Sequence, residues 1–281
     1  MRVDYRIDVL VFGTAGLPAD WVYNGKYMQG EMTANSFGVT ALRNGGKTIL
    51  IDTGSNMNDS GKRGIFEMLQ AGDTMEDVLD ALALADISPE DVSDVVLTHA
   101  HMDHIGALEL FPNAHFYIQK AELEAWEDIA SNPKMAPMLM PAVADENDLK
   151  RARALVNEGR MTLLDGDVKE LLPGIDVIAM DNCHSVRDQL VVVHTPDGDY
   201  VDVGDLATRD AHIMGIPGVT DHYLWQAECA GSEYQTMTAY PRIMELANDD
   251  ISHVIMRHSF GGENTDTPTV QDGNTARYQL R

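Results

Sequence analysis

The segment Thr98-His99-Ala100-His101-Met102-Asp103-His104-Ile105-Gly106 places three histidines and one aspartate within six consecutive positions. Neutral imidazole and carboxylate are the ligands that zinc takes in catalytic sites. His99 and His101 are two apart, so an extended backbone turns both to one side. Asp103 and His104 follow a bend and point elsewhere, so one segment can feed two neighbouring metals. A metal lowers the pKa of bound water toward ~7 and so generates a nucleophile at neutral pH. The chemistry expected is attack of that hydroxide on a polarised carbonyl.

Such ligands need a scaffold. Residues 95–97, Val-Val-Leu, read as a buried strand that runs straight into Thr98, and residues 105–110 read as a short helix that Pro112 stops. Side chains at this kind of strand end converge on the space beyond the sheet. Further strands are expected at residues 7–12, 37–42, 48–51, 115–118, 161–164, 176–180, 190–194, 200–203 and 253–256. Asn44-Gly45-Gly46 is hairpin chemistry, since both residue types tolerate positive φ. Residues 75–85 carry apolar positions at helical spacing with Thr74 as a candidate N-cap. Helices are also expected at 120–129, 145–156 and 240–247. The pattern implies α/β architecture: two mixed β-sheets packed face to face with flanking helices, an αββα sandwich. One domain over 1–281 is expected, with an N-terminal cap segment at about 14–34 and a polar, irregular C-terminal tail at about 262–281.

The chain has 281 residues and a formal net charge of -25, from 45 acids against 20 bases. Such a surface repels phosphate backbones and anionic membranes, which disfavours both as partners. No apolar run approaches the ~20 residues that span a bilayer, and residues 1–10 carry charges with no signal-peptide core. A cytoplasmic protein acting on a small molecule is expected, with a homodimer as the commonest assembly by base rate. Cys183 and Cys229 imply no disulfide framework and are expected as reduced thiols.

The stretch from Thr98 to Gly106 resembles the metallo-β-lactamase superfamily signature T-H-x-H-x-D-H-x-G. Ile49-Leu50-Ile51-Asp52-Thr53-Gly54 looks like the strand and Asp-turn that precede it. The resemblance, over roughly residues 35–260, implies a first metal on His99, His101 and His184. It implies a second on Asp103, His104 and His258, with Asp205 bridging. Two divalent ions are implied, zinc by default, with Mn2+, Fe2+ or Co2+ as other occupants. Asp103 is also the expected proton shuttle. Around His184 the sequence Asp181-Asn182-Cys183-His184-Ser185 departs from the family's T-P-G-H-T-x-G form.

Within the family the chain looks most like quorum-quenching and pyridoxolactonase-type lactonases, on Asn35-Ser36, Phe111-Pro112-Asn113-Ala114 and Glu122. That likeness implies hydrolysis of a lactone or cyclic amide; the alternative is a thioester, phosphoester or sulfate ester. Lactonase relatives often carry a tyrosine soon after the bridging aspartate. Here Leu206-Ala207-Thr208-Arg209 follows, and the next tyrosine is Tyr223. This points to a cyclic ester or amide other than an acyl-homoserine lactone. Trp21, Tyr23 and Met28 are expected to cap the cleft, and His212, His222 and Tyr223 to line its other wall. Arg187 and Arg209 are expected to hold a carboxylate of substrate or product.

Overall fold

The computed structural model describes residues 1–23, 30–57, 74–226, 230–260 and 267–281. The first half comprises β1 (Arg6–Pro18), α1 (Ala19–Val22), β2 (Met32–Asn44), β3 (Lys47–Ile51), β4 (Thr74–Met75), α2 (Val78–Ala83), β5 (Val92–Val96), α3 (Met102–Ile105), β6 (His115–Gln119) and α4 (Lys120–Ser131). The second comprises α5 (Ala136–Val143), α6 (Glu146–Asn157), β7 (Met161–Leu164), β8 (Val168–Leu172), β9 (Ile175–Asp181), β10 (Arg187–Thr195), β11 (Gly198–Asp202), α7 (Asp210–Met214), α8 (Glu233–Leu246), β12 (Val254–Ile255), β13 (Val270–Asp272) and β14 (Thr275–Gln279).

Among the described residues the strands form two sheets. One runs β13-β14-β1-β2-β3-β5-β6-β7, with β4 paired to β1 off that path; the other runs β12-β11-β10-β9-β8. Both are mixed. In the first, β3, β5, β6 and β7 are parallel, and in the second β11 and β12 are.

Alternation along the strands explains the layering. In β1, Val9 and Val11 face the second sheet, where they meet Val177, Val191 and Val193. Leu10 and Phe12 face the other way, toward Val78 and Leu82 of α2. In β10, Leu190 and Val192 turn outward onto Tyr240 and Ile243 of α8. Strands covered on both faces read as near-continuous apolar runs, as these do. Each fully buried Val or Leu side chain stabilises by roughly 1.5–3 kcal/mol. The result is the expected αββα sandwich. No helix among the described residues is long and apolar enough to cross a membrane.

Four local expectations change. The first strand does not stop at Phe12: a bulge between Val11 and Gly13 absorbs the irregularity, and pairing with β2 continues to Pro18 opposite Met32. Much of the stretch read as a cap is therefore sheet; residues 24–29 lie outside the described residues. Thr74 is not a helix cap, because Thr74-Met75 pairs with Gly13-Thr14. The cap of α2 is Asp77, whose side chain accepts from Leu79 N at 3.0 Å. The helix expected over 105–110 is broken at Gly106, with α3 starting earlier, at Met102. The tail is not irregular throughout. β14 pairs with β1, and Ala276 and Tyr278 are buried in the inter-sheet core.

Candidate metal centre

The chain leaves the sheets at the ends of β3, β5, β11 and β12, and the residues that follow these strands meet. Asp52 follows β3, His99 and His101 follow β5, Asp205 follows β11 and His258 follows β12. His101 is the N-cap of α3, which carries Asp103 in its first turn and His104 in its last. His184 sits in the hairpin between β9 and β10. Gly204 allows the close approach of these ends. Its φ is +53°, and an added Cβ would stand 2.8 Å from Cβ and Oγ1 of Thr98.

All seven metal-ligand candidates fall into two groups whose donor atoms lie within 4.8 Å of one another: His99, His101, His184 and Asp205, and Asp103, His104, Asp205 and His258. In the first, His184 Nε2 is 3.1 Å from His101 Nδ1, and Asp205 Oδ2 is 3.5 Å from His184 Nε2 and 3.9 Å from His99 Nε2. In the second, Asp205 Oδ1 is 3.0 Å from His258 Nε2 and 3.3 Å from His104 Nε2. Asp103 Oδ2 is 3.3 Å from His104 Nε2 and 3.7 Å from His258 Nε2.

The donor set passes a test of fit to divalent cations. Nε2 of His99, His101 and His104 and Oδ1 of Asp205 are buried without a hydrogen-bond partner. A buried polar atom left unpaired costs roughly 1–3 kcal/mol, so four in one cluster point to a missing electrophile. Imidazole and carboxylate are what zinc and its neighbours accept.

Behind the donors, other residues fix their tautomers. Asp52 is fully buried and accepts from Thr98 N at 2.6 Å and Thr98 Oγ1 at 2.7 Å. It accepts from Arg257 Nη2 at 2.5 Å and His104 Nδ1 at 2.6 Å as well. His104 thus donates from Nδ1 and turns its Nε2 to the cluster, the arrangement that carboxylate partners impose on ligating histidines. His258 does the same by donating Nδ1–H to Ser36 O at 2.5 Å. Gln226 donates to Asp205 O at 2.5 Å, with its Nε2 3.3 Å from His184 Nδ1.

Burial holds His99 and His101 well below the usual imidazole range, with adjacent imidazoles adding to the effect, and holds His184 at about 4. Burial alone would push Asp103 up, but His104 and His258 beside it prevail and hold it at about 2. Asp205 is pulled down the same way by His258 and His104. For His104 and His258, burial opposes the proton but the surrounding carboxylates prevail, so both are raised. Metals bind neutral imidazoles and ionised carboxylates, so a cation in the second group would displace the protons that His104 and His258 otherwise favour.

The candidate substrate residues divide. Arg209 is fully buried and does not face the cleft. Its guanidinium donates to Thr208 O at 2.6 Å, Ala34 O at 2.5 Å and Asn35 Oδ1 at 3.0 Å. Asn35 in turn lies 3.1 Å from His258 Nδ1, so Arg209 braces the site from behind. Arg187 is ion-paired through Nη1 with Asp181 across the β9–β10 hairpin, while its Nε is buried without a hydrogen-bond partner. His212 is buried: its Nδ1 accepts from Thr208 N, its Nε2–H donates to Val22 O at 3.0 Å, and burial holds it at about 3. Tyr23 is buried against the same ring. Trp21, His222 and Tyr223 are accessible, with Trp225 beside them. Met28 and Cys229 lie outside the described residues. Cys183 is buried, its thiol directed at Asp181 O.

Sequence reasoning gave no role to Gln226, Arg257 or Trp126. The only signal for Arg257 was its place directly before His258; the others depend on long-range packing.

The chain resembles known proteins in sequence and in fold. The family model described as the metallo-beta-lactamase superfamily matches residues 35–229. N-acyl homoserine lactonase AiiB of Rhizobium rhizogenes is 27% identical over 145 residues, 49% of this chain and 50% of that protein. Metallo-beta-lactamase domain-containing protein 1 of Mus musculus is 60% identical over 37 residues, 13% of this chain and 14% of its own length. The matched segments thus span half or less of these curated relatives. Among solved structures, a quorum-quenching N-acyl homoserine lactone lactonase superposes with TM-score 0.64 at 17% identity, covering 92% of this chain and 93% of its own. AidC, described as a dizinc quorum-quenching lactonase, gives TM-score 0.64 at 17% identity, covering 99% and 95%. At these identities the structural likeness speaks for the fold. With the family model spanning most of the chain and the signature residues gathered at one end of the sandwich, the chain belongs to the metallo-beta-lactamase superfamily.

Proposed function

We propose that this chain is a two-metal hydrolase that opens a small cyclic ester or cyclic amide. The observation that carries the metal reading is the position of Asp205. Its carboxylate stands between two histidine groups: Oδ2 lies 3.5 Å from His184 Nε2, 3.9 Å from His99 Nε2 and 3.1 Å from His258 Nε2, and Oδ1 lies 3.0 Å from His258 Nε2 and 3.3 Å from His104 Nε2. His99, His101 and His184 would hold one cation, and Asp103, His104 and His258 the other, with Asp205 shared. Zinc suits the donors best by default, and the same set accepts manganese, iron or cobalt. When bound, such a pair supplies Lewis acidity and water acidified enough to attack at neutral pH.

The protein's own residues do the rest. Asp52 and Ser36 O fix the tautomers of His104 and His258. Asp103, beside both His104 and His258, takes the nucleophile's proton on a carboxylate oxygen and returns it to the departing group. Ala19, Val22, Tyr23 and Leu224 pack as one unit, and the adjoining Gln226 reaches His184. The accessible Trp21, His222 and Tyr223 border that unit and form the substrate wall in this reading. The lactonases among the relatives support the substrate class. The absence of a tyrosine between Asp205 and Tyr223 favours a ring other than an acyl-homoserine lactone.

A pH-indicator assay of the metal-loaded protein tests this, with aliphatic, aromatic and acyl-homoserine lactones, cyclic amides, a thioester, a phosphoester and a sulfate ester. Turnover of cyclic esters or amides that His101→Ala and Asp205→Ala abolish, together with metal content, is expected. Turnover of only the last three substrates would overturn the substrate class, and full activity in chelator-stripped protein would overturn the metal mechanism.

A further inference from the structure

Glu122 lies in the first turn of α4 and is fully buried, with no cationic side chain among its hydrogen-bond partners. A carboxylate in that position is costly unless donors compensate it, and four do. Oε1 accepts from Ala100 N at 2.9 Å, Trp126 Nε1 at 3.0 Å and Ser185 Oγ at 2.6 Å, and Oε2 accepts from Arg187 N at 2.8 Å. Ala100 is the residue between His99 and His101. Ser185 directly follows His184, and Arg187 starts the strand that leaves the same hairpin. One side chain therefore ties the loop of the first sheet that carries two candidate ligands to the loop of the second sheet that carries the third.

Trp126 completes the arrangement. It is one turn further along α4, on the same face as Glu122. Its Nε1 is also 2.9 Å from Ser185 Oγ, and its ring stands edge-on to His101 with centroids 5.2 Å apart. None of these contacts reaches Asp103 or His258. All four partners of Glu122 are donors, so an acceptor-only group is required there; an amide would set N–H against N–H.

We infer that Glu122, braced by Trp126, is a positioning residue for the His99–His101–His184 group alone. The inference rests on reading the cluster as a metal centre. Fixing Ala100 and Ser185 to one carboxylate sets the distance between His101 and His184 before a cation arrives, whereas the other group is fixed by Asp52 and Ser36.

The test is stepwise zinc affinity of the intact protein, by competition with a chromophoric chelator. The wild type should bind two ions, and His258→Ala should identify the step that belongs to the second group. Glu122→Gln should weaken the other step by about tenfold or more, as loss of a partner behind a ligand does, and leave the His258-dependent step unchanged. Ser185→Ala, which keeps the carboxylate and removes one donor, should weaken the same step by less, and it decides the matter if Glu122→Gln does not fold. Two unchanged steps, equal weakening of both, or loss of the His258-dependent step would overturn the inference. A wild type that binds no zinc would instead overturn the metal reading beneath it.

Discussion

Nδ1 of His104 stands 2.6 Å from Oδ2 of Asp52, and this contact decides which nitrogen of His104 faces the cluster. The same oxygen receives Arg257, which is also 3.6 Å from Asp202. Asp52 is thus a hinge between a candidate ligand and a buried cation. Burial alone would raise its pKa, but Arg257 and His104 overcome that and hold it below the ordinary value.

Asp52→Asn should therefore act twice. Arg257 loses its nearest charge partner while buried, and breaking a buried pair costs about 3–5 kcal/mol; Asp202 keeps the loss toward the lower end. Zinc affinity should fall by roughly 10–100-fold as His104 loses its orienting partner. Urea denaturation and chelator competition measure the two effects, and a variant as stable as the wild type would show that Asp202 alone suffices for Arg257.

Gly204→Ala should destabilise by about 1–3 kcal/mol, as overpacking does. The new Cβ would enter the space of the Thr98 side chain, and the backbone there has φ of +53°. Since Thr98 donates twice to Asp52, the variant should also bind zinc more weakly. Equal urea midpoints would mean that the Thr98 side chain moves aside freely.

His194 gives a pH dependence away from the site. It lies between Asp199, 2.9 Å from Nδ1, and Asp176, 3.2 Å from Nε2. Partial burial opposes its proton, but the two carboxylates prevail and raise its pKa. A raised histidine stabilises the fold fully below its unfolded value of about 6.5 and loses that contribution as pH rises through the folded value. The stability advantage of wild type over His194→Asn should shrink as pH rises from 6 to 9. An advantage that grows with pH would contradict the assignment.

Tyr278→Ala should cost about 3–5 kcal/mol, in the range of large aromatics removed from a core. Its ring is buried 5.1 Å from that of Phe260, two residues beyond His258. Guanidinium denaturation measures this; a loss near zero would make β14 a dispensable addition to the sheet.

The legible and illegible parts of the sequence separate by the range of the interactions involved. The ligand cluster was legible because four donors follow one apolar strand, and the sandwich because strands buried on both faces carry little but Val, Ile and Leu. The apolar run of β1 ends at Gly13, whereas pairing with β2 carries the strand on to Pro18. The polarity of the tail hides its strands, although Asp272-Gly273-Asn274-Thr275 is turn chemistry and Ala276 and Tyr278 alternate toward the core. Arg209 and His212 resemble substrate contacts in the sequence because a cation and an imidazole soon after Asp205 suggest a pocket. Their actual partners, Ala34, Asn35 and Val22, lie far away in sequence and leave no local mark.

The pairing of β14 with β1 carries a consequence for synthesis. Asp8 to Val11 lie against Gln279 to Ala276, and Arg277 closes on the buried Asp8 from 269 residues away. One edge of β1 can pair with β2 early. The other waits, with Val9 and Val11 beside it, until residue 279 has emerged from the ribosome. An apolar strand edge left open for so long invites pairing with other chains, and contacts of such sequence separation slow folding. This protein should therefore refold faster with β1 and β14 tethered than with both free, and nascent chains halted short of β14 should be the form that chaperones retain.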